Sequence, residues 1–85
     1  MRANLEAAYE ALRHQDAARI LELARPVALG AQTAATKAEA LQLLAFGFLL
    51  SGRPDDADAA LAAIPAGFAP HPSLLELRAK VRGGV

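Results

Sequence analysis

Ile20, Val27, Ile64, Val81 and Val85 are the only β-branched aliphatic residues in this 85-residue chain, and Thr33 and Thr36 are its only threonines. Strands depend on such side chains to cover a pleated surface, so a sheet-based domain has almost nothing to be built from. Their place is taken by 22 alanines and 14 leucines, both strong helix formers. The chain is therefore expected to be all-α. Its length allows one small domain, which must bury most of its large side chains to be stable.

Charge and residue type narrow the function. Nine Lys and Arg balance nine Asp and Glu, so the positive field that nucleic-acid binders use is missing. Without cysteine there is no disulfide framework, thiolate zinc site or cysteine nucleophile. The most apolar run, Ala40 to Leu50, is far shorter than the roughly 20 residues that span a bilayer, and reads as a helix buried on most sides. Met1-Arg2-Ala3-Asn4 leads into an amphipathic stretch rather than a signal-peptide core. The expectation is a soluble cytoplasmic protein with no membrane or nucleic-acid partner. Its alanine-, arginine- and leucine-rich composition resembles that of high-GC bacteria.

Apolar spacing predicts five helices. The first, about 3–13, places Leu5, Ala8, Tyr9 and Leu12 on one face. Asp16 suits the cap of a second helix with Ala17, Ile20, Leu21 and Ala24 inward, which Pro26 is expected to end or kink. Residues 27–35, including Gly30, read as an extra turn or a loop. Thr36 and Glu39 have capping-box spacing at the start of a third helix that runs to Ser51, with Gly52 as its C-terminal residue. Pro54 opens a fourth, with Asp55, Asp56 and Asp58 near its positive end, and Pro65 stops it. Ser73 and Glu76 form a second capping box before the last helix, about 73–82, and Gly83-Gly84-Val85 reads as a frayed tail.

Segments three and four, about 36–64, resemble one tetratricopeptide repeat, a helix–turn–helix unit of about 34 residues. Leu41, Leu44, Ala45, Phe48, Gly52, Ala57, Leu61 and Ile64 fall at the family's intervals, with Ile64 where alanine is usual. Segments one and two, about 3–25, resemble a shortened copy. There Leu5, Ala8, Tyr9 and Leu12 match the first helix, and Ala17, Leu21 and Ala24 match the second. His14-Gln15 replaces the turn glycine. The resemblance implies antiparallel helical hairpins with the last helix as a C-terminal cap.

No catalytic, cofactor or metal site emerges from the residues. His14 and His71 lack a serine, cysteine or carboxylate at triad or ligand spacing and read as exposed loop histidines. Asp55, Asp56 and Asp58 lack the glycine and later glutamate of a calcium loop. Arg78, Lys80 and Arg82 form a basic cluster with no aromatic residue among them. The third helix, by contrast, has more large apolar residues than one face can hide. The tetratricopeptide resemblance implies that its groove face binds a peptide. Glu39, Gln42, Phe46 and Leu49 are then the groove residues, with Tyr9 and Glu6 from the first helix; the alternative is that Phe46 and Leu49 pack inside the domain, which must bury most of its large residues. A non-enzymatic protein-binding module is expected, similar in style to the small tetratricopeptide-like chaperones of bacterial type III secretion, which hold an aggregation-prone partner. The competing expectation is a self-associating helical domain, either a homodimer or the end of a longer array.

Overall fold

The computed structural model describes residues 2–83. It contains five helices: α1 (Arg2–Arg13), α2 (Ala17–Gly30), α3 (Ala34–Leu50), α4 (Pro54–Ala62) and α5 (Pro72–Gly83). No strand occurs among the described residues, as the scarcity of β-branched side chains predicts. Gly83 ends α5, and the rest of the expected frayed tail, Gly84 and Val85, lies outside the described residues.

Two turns have the same hydrogen-bond pattern. At the end of α3, Gly52 N donates to Leu49 O (3.0 Å) and Arg53 N to Phe48 O (2.8 Å). At the end of α1, Gln15 N donates to Leu12 O (3.0 Å) and Asp16 N to Ala11 O (2.9 Å). Both are Schellman closures, which require a left-handed residue just past the helix. Gly52 supplies it at φ 73° and Gln15 at φ 56°. In each turn the second donor stands at the N-cap of the next helix: Asp16, whose side chain accepts from Arg19 N, and Arg53, which makes no side-chain cap bond. Three residues separate the helices both times, so the first hairpin is not shortened at its turn. Ile20 and Ala57 are each the fourth residue of their helices and fully buried; Ile20, not Ala17, is the counterpart of Ala57.

Helix boundaries depart from the sequence reading in three places. α2 does not end at Pro26 but continues to Gly30, so of the two expectations for 27–35 the extra turn holds for 27–30, and the loop is only 31–33. Pro26 offers no amide to the carbonyl of Glu22, but both residues are exposed and water can serve that oxygen. Buried Ala24 and Val27 hold the helix on either side. The cap of α3 is Thr33, not Thr36. Thr33 has extended backbone (φ −124°, ψ 151°), and its Oγ1 accepts from Thr36 N at 3.2 Å. That puts Thr36 inside the first turn and frees Glu39 for other partners. α5 likewise starts one residue early, at Pro72, and Ser73 N donates to the His71 ring at 3.1 Å.

α3 is the centre of the molecule and touches all four other helices, whereas α1 and α2 contact neither α4 nor α5. Ala38, Ala40, Leu41, Leu43, Leu44, Ala45, Gly47 and Leu49 are buried around most of its circumference, and the remaining strip carries half-buried Glu39, Gln42 and Phe46. Ion pairs fasten α5 to α4. Arg78 Nε donates to Asp58 Oδ1 at 2.6 Å, and Arg82 pairs with both Asp58 and Asp55. Asp55 and Asp58, two of the three aspartates read as helix-end charges, and two members of the basic cluster are thus partners across an interface, while Asp56 pairs with Arg53.

Candidate functional site

A cleft of about 260 Å³ opens where α1, α3 and the start of α5 meet. Helical spacing builds its walls. Glu39, Gln42, Leu43 and Phe46 stand at i, i+3, i+4 and i+7 on one face of α3, and Tyr9 and Leu12 at i and i+3 on α1. The turn into α5 closes the third side with His71 and Ser73.

One end of the cleft is polar and fixed by hydrogen bonds. Tyr9 Oη donates to Glu39 Oε1 at 2.6 Å, while Arg2 approaches Glu39 Oε2 at 3.0 Å and Oε1 at 3.3 Å. The Arg2 guanidinium is the main reason that the Glu39 carboxyl is held below the usual carboxylate range, with the Tyr9 hydroxyl helping. Burial pushes the Tyr9 phenol up, reinforced by its bond to Glu39. Gln42 Oε1 accepts from His71 N at 3.0 Å and so ties the α5 turn to α3. Ser73 Oγ lies 2.7 Å from His71 Nδ1. Ser73 N donates to the same nitrogen, so the histidine ring serves to cap α5. Glu39, the only carboxylate among the described residues of the cleft wall, is engaged by Arg2 and Tyr9 rather than by His71. The other end of the cleft is apolar, formed by Leu12, Leu43 and half-buried Phe46.

Of the six residues expected to face a partner, Tyr9, Glu39, Gln42 and Phe46 are brought together here. Leu49 is a correction: it is only 2% exposed and belongs to the core, because α3 is covered on that side too. Glu6 is exposed on α1 but does not line the cleft. Leu12, Leu43, His71 and Ser73 were missed. Leu43 follows Glu39 by one helical turn and was findable. His71 and Ser73 lie 29 and 31 positions beyond Gln42, and no local pattern connects them.

A second, more open depression lies at the α1–α2 turn, beside Glu10, His14, Asp16 and Arg19. Its polar groups are paired among themselves or with neighbours: His14 with Glu10 at 3.2 Å, Arg19 N with Asp16 at 3.2 Å, and the Arg19 side chain with Glu22 at 2.7 Å. No group of three or more histidine or carboxylate side chains placed to hold a metal occurs among the described residues. No described helix is long and apolar enough to cross a membrane. No protein-family model, curated protein or solved structure matches the chain.

Proposed function

We propose that the protein is a non-enzymatic, tetratricopeptide-like interaction module that holds a segment of a partner chain in the α1–α3–α5 cleft. The carrying observation is that four residues selected for a groove, Tyr9, Glu39, Gln42 and Phe46, line one continuous cleft. At about 260 Å³ it falls just below the roughly 300–1,000 Å³ of small-molecule sites, and suits one or two side chains of a peptide. Two matching turns support the repeat reading, as does α5 packing only on α3 and α4, where a terminal cap belongs. A bacterial, cytoplasmic chaperone or adaptor role, with the type III secretion chaperones as the nearest analogy in style, is the finer form of the same proposal.

Display selection of peptides on the immobilised protein tests it. Binders are expected to lose at least tenfold in affinity for Phe46→Glu, with the variant's circular dichroism spectrum and cooperative melt retained. Selected peptides that bind wild type and the folded variant equally would remove the cleft from the proposal.

A further inference from the structure

Among the described residues Glu39 is the only charged side chain in the cleft wall, and its ion-pair partner comes from outside the cleft. Arg2 reaches it from the start of α1, with both guanidinium Nη atoms against the two carboxylate oxygens. Such a fork is the geometry by which carboxylates recognise arginine rather than lysine. Arg2 is 63% exposed against 29% for Glu39. A pair so open to water contributes little and is readily exchanged. The carboxylate, in contrast, is held in place: Tyr9 donates to it from α1, and it is carried by α3, the helix on which all four others pack. Phe46 lies two helical turns along the same face, about 10 Å away at 1.5 Å per residue. An extended chain puts side chains i and i+2 on one side about 7 Å apart, and the length of an arginine side chain spans the remainder. Gln42, between the two, uses its carbonyl on His71 N and keeps its amide NH₂ for a ligand carbonyl.

We infer, building on the proposed peptide-binding cleft, that its ligand is a segment with an arginine two residues from a leucine-sized apolar side chain. Arg2 occupies the arginine's position in the free protein. The ligand guanidinium displaces Arg2 from Glu39 while the apolar side chain enters between Phe46, Leu12 and Leu43.

The test titrates the whole protein, followed by amide chemical shifts, with N-acetyl tripeptide amides of sequence Arg-Ala-Leu and Leu-Ala-Arg, and with counterparts in which glutamate replaces arginine. Wild type should prefer the arginine peptides, with shifts at Phe46 and Glu39. Arg2→Ala should bind them roughly twofold to fivefold more tightly, the range of a surface ion pair. Glu39→Gln should erase the preference for arginine over glutamate. Equal shifts around Phe46 for every peptide, with no gain in Arg2→Ala, would overturn the inference and leave the cleft reading standing. No shift around Phe46 with any peptide at millimolar concentration would overturn both. If Glu39→Gln fails to fold, the Arg2→Ala comparison decides alone.

Discussion

A Cβ placed on Gly47 would lie 2.8 Å from Leu21 Cδ2, 2.9 Å from Leu21 Cγ and 3.3 Å from Ile20 Cγ2, so α2 and α3 cross at the distance that a missing methyl allows. The branch point of Leu21 cannot turn away as a flexible chain end would. Gly47→Ala gains about 1 kcal/mol of helix propensity but overpacks the crossing, which typically costs 1–3 kcal/mol, roughly. The net expectation is a destabilisation of about 1 kcal/mol, read from denaturant or thermal melts. Adding Leu21→Ala removes the obstructing atoms, so in that background Gly47→Ala should be neutral or stabilising. Additive effects of the two substitutions would mean that the crossing is not set by this contact. Gln15 is the reverse case, a side chain where glycine belongs. Its φ of 56° lies in the left-handed region that the equivalent Gly52 occupies freely. Gln15→Gly should stabilise by about 0.5–1 kcal/mol, and a lower melting temperature would contradict the turn equivalence.

At the scale of elements, the Gly52 turn carries a further contact. Arg53 lies over the Phe48 ring with its guanidinium carbon 5.0 Å from the centroid, where Schellman turns usually place an apolar pair. The α4–α5 clasp makes stability depend on pH. The hydrogen bond from Arg78, followed by that from Arg82, lowers the Asp58 pKa, as Arg2 lowers that of Glu39. A depressed carboxylate contributes stability that is present above its unfolded pKa, about 4, and is lost as pH falls through the folded value. The melting temperature should therefore drop on acidification below about pH 4. Asp58→Asn should lower it at neutral pH and flatten that drop, and an unchanged acid limb in the variant would show that the clasp contributes nothing. The sequence made the helices and most of their faces readable because burial repeats with helical period: Leu5 with Ala8, Ile20 with Ala24, Ala57 with Ala60. What it concealed depends on tertiary context. Thr33 outcompeted Thr36 because backbone shape selects the cap, and α2 passes Pro26 because buried neighbours hold it on both sides. Four cleft residues could be found because they share faces of α1 and α3. Leu49 was misassigned because an all-apolar helix gives no sign of which side is uncovered, and His71 joins the cleft only through a bond across 29 positions.

For the molecule as a whole, stability should be graded outward from α3, since every other helix packs on it and it holds eight of the buried residues. α5 is at the opposite extreme. Leu74 is its one buried residue, backed by partly buried Leu77 and Val81 and by ion pairs open to solvent. Elements with few buried apolar contacts open at lower free energy than the global transition. Native-state hydrogen exchange should then show α3 amides exchanging only through global unfolding, with those of α5 exchanging faster through local release. Arg78→Ala should speed exchange in α5 while leaving the ratio of α3 exchange to global stability unchanged. Uniform protection across the five helices would instead make the domain a single cooperative unit. The gradient bears on binding, because His71 and Ser73 form the third wall of the cleft at the start of α5, and the bond from His71 N to Gln42 is what joins that wall to α3. Release of α5 widens the cleft at its least stable side, so a bound chain that contacts His71 or Ser73 should slow α5 exchange more than that of α1. Equal slowing of both would place the ligand on the α1–α3 walls alone.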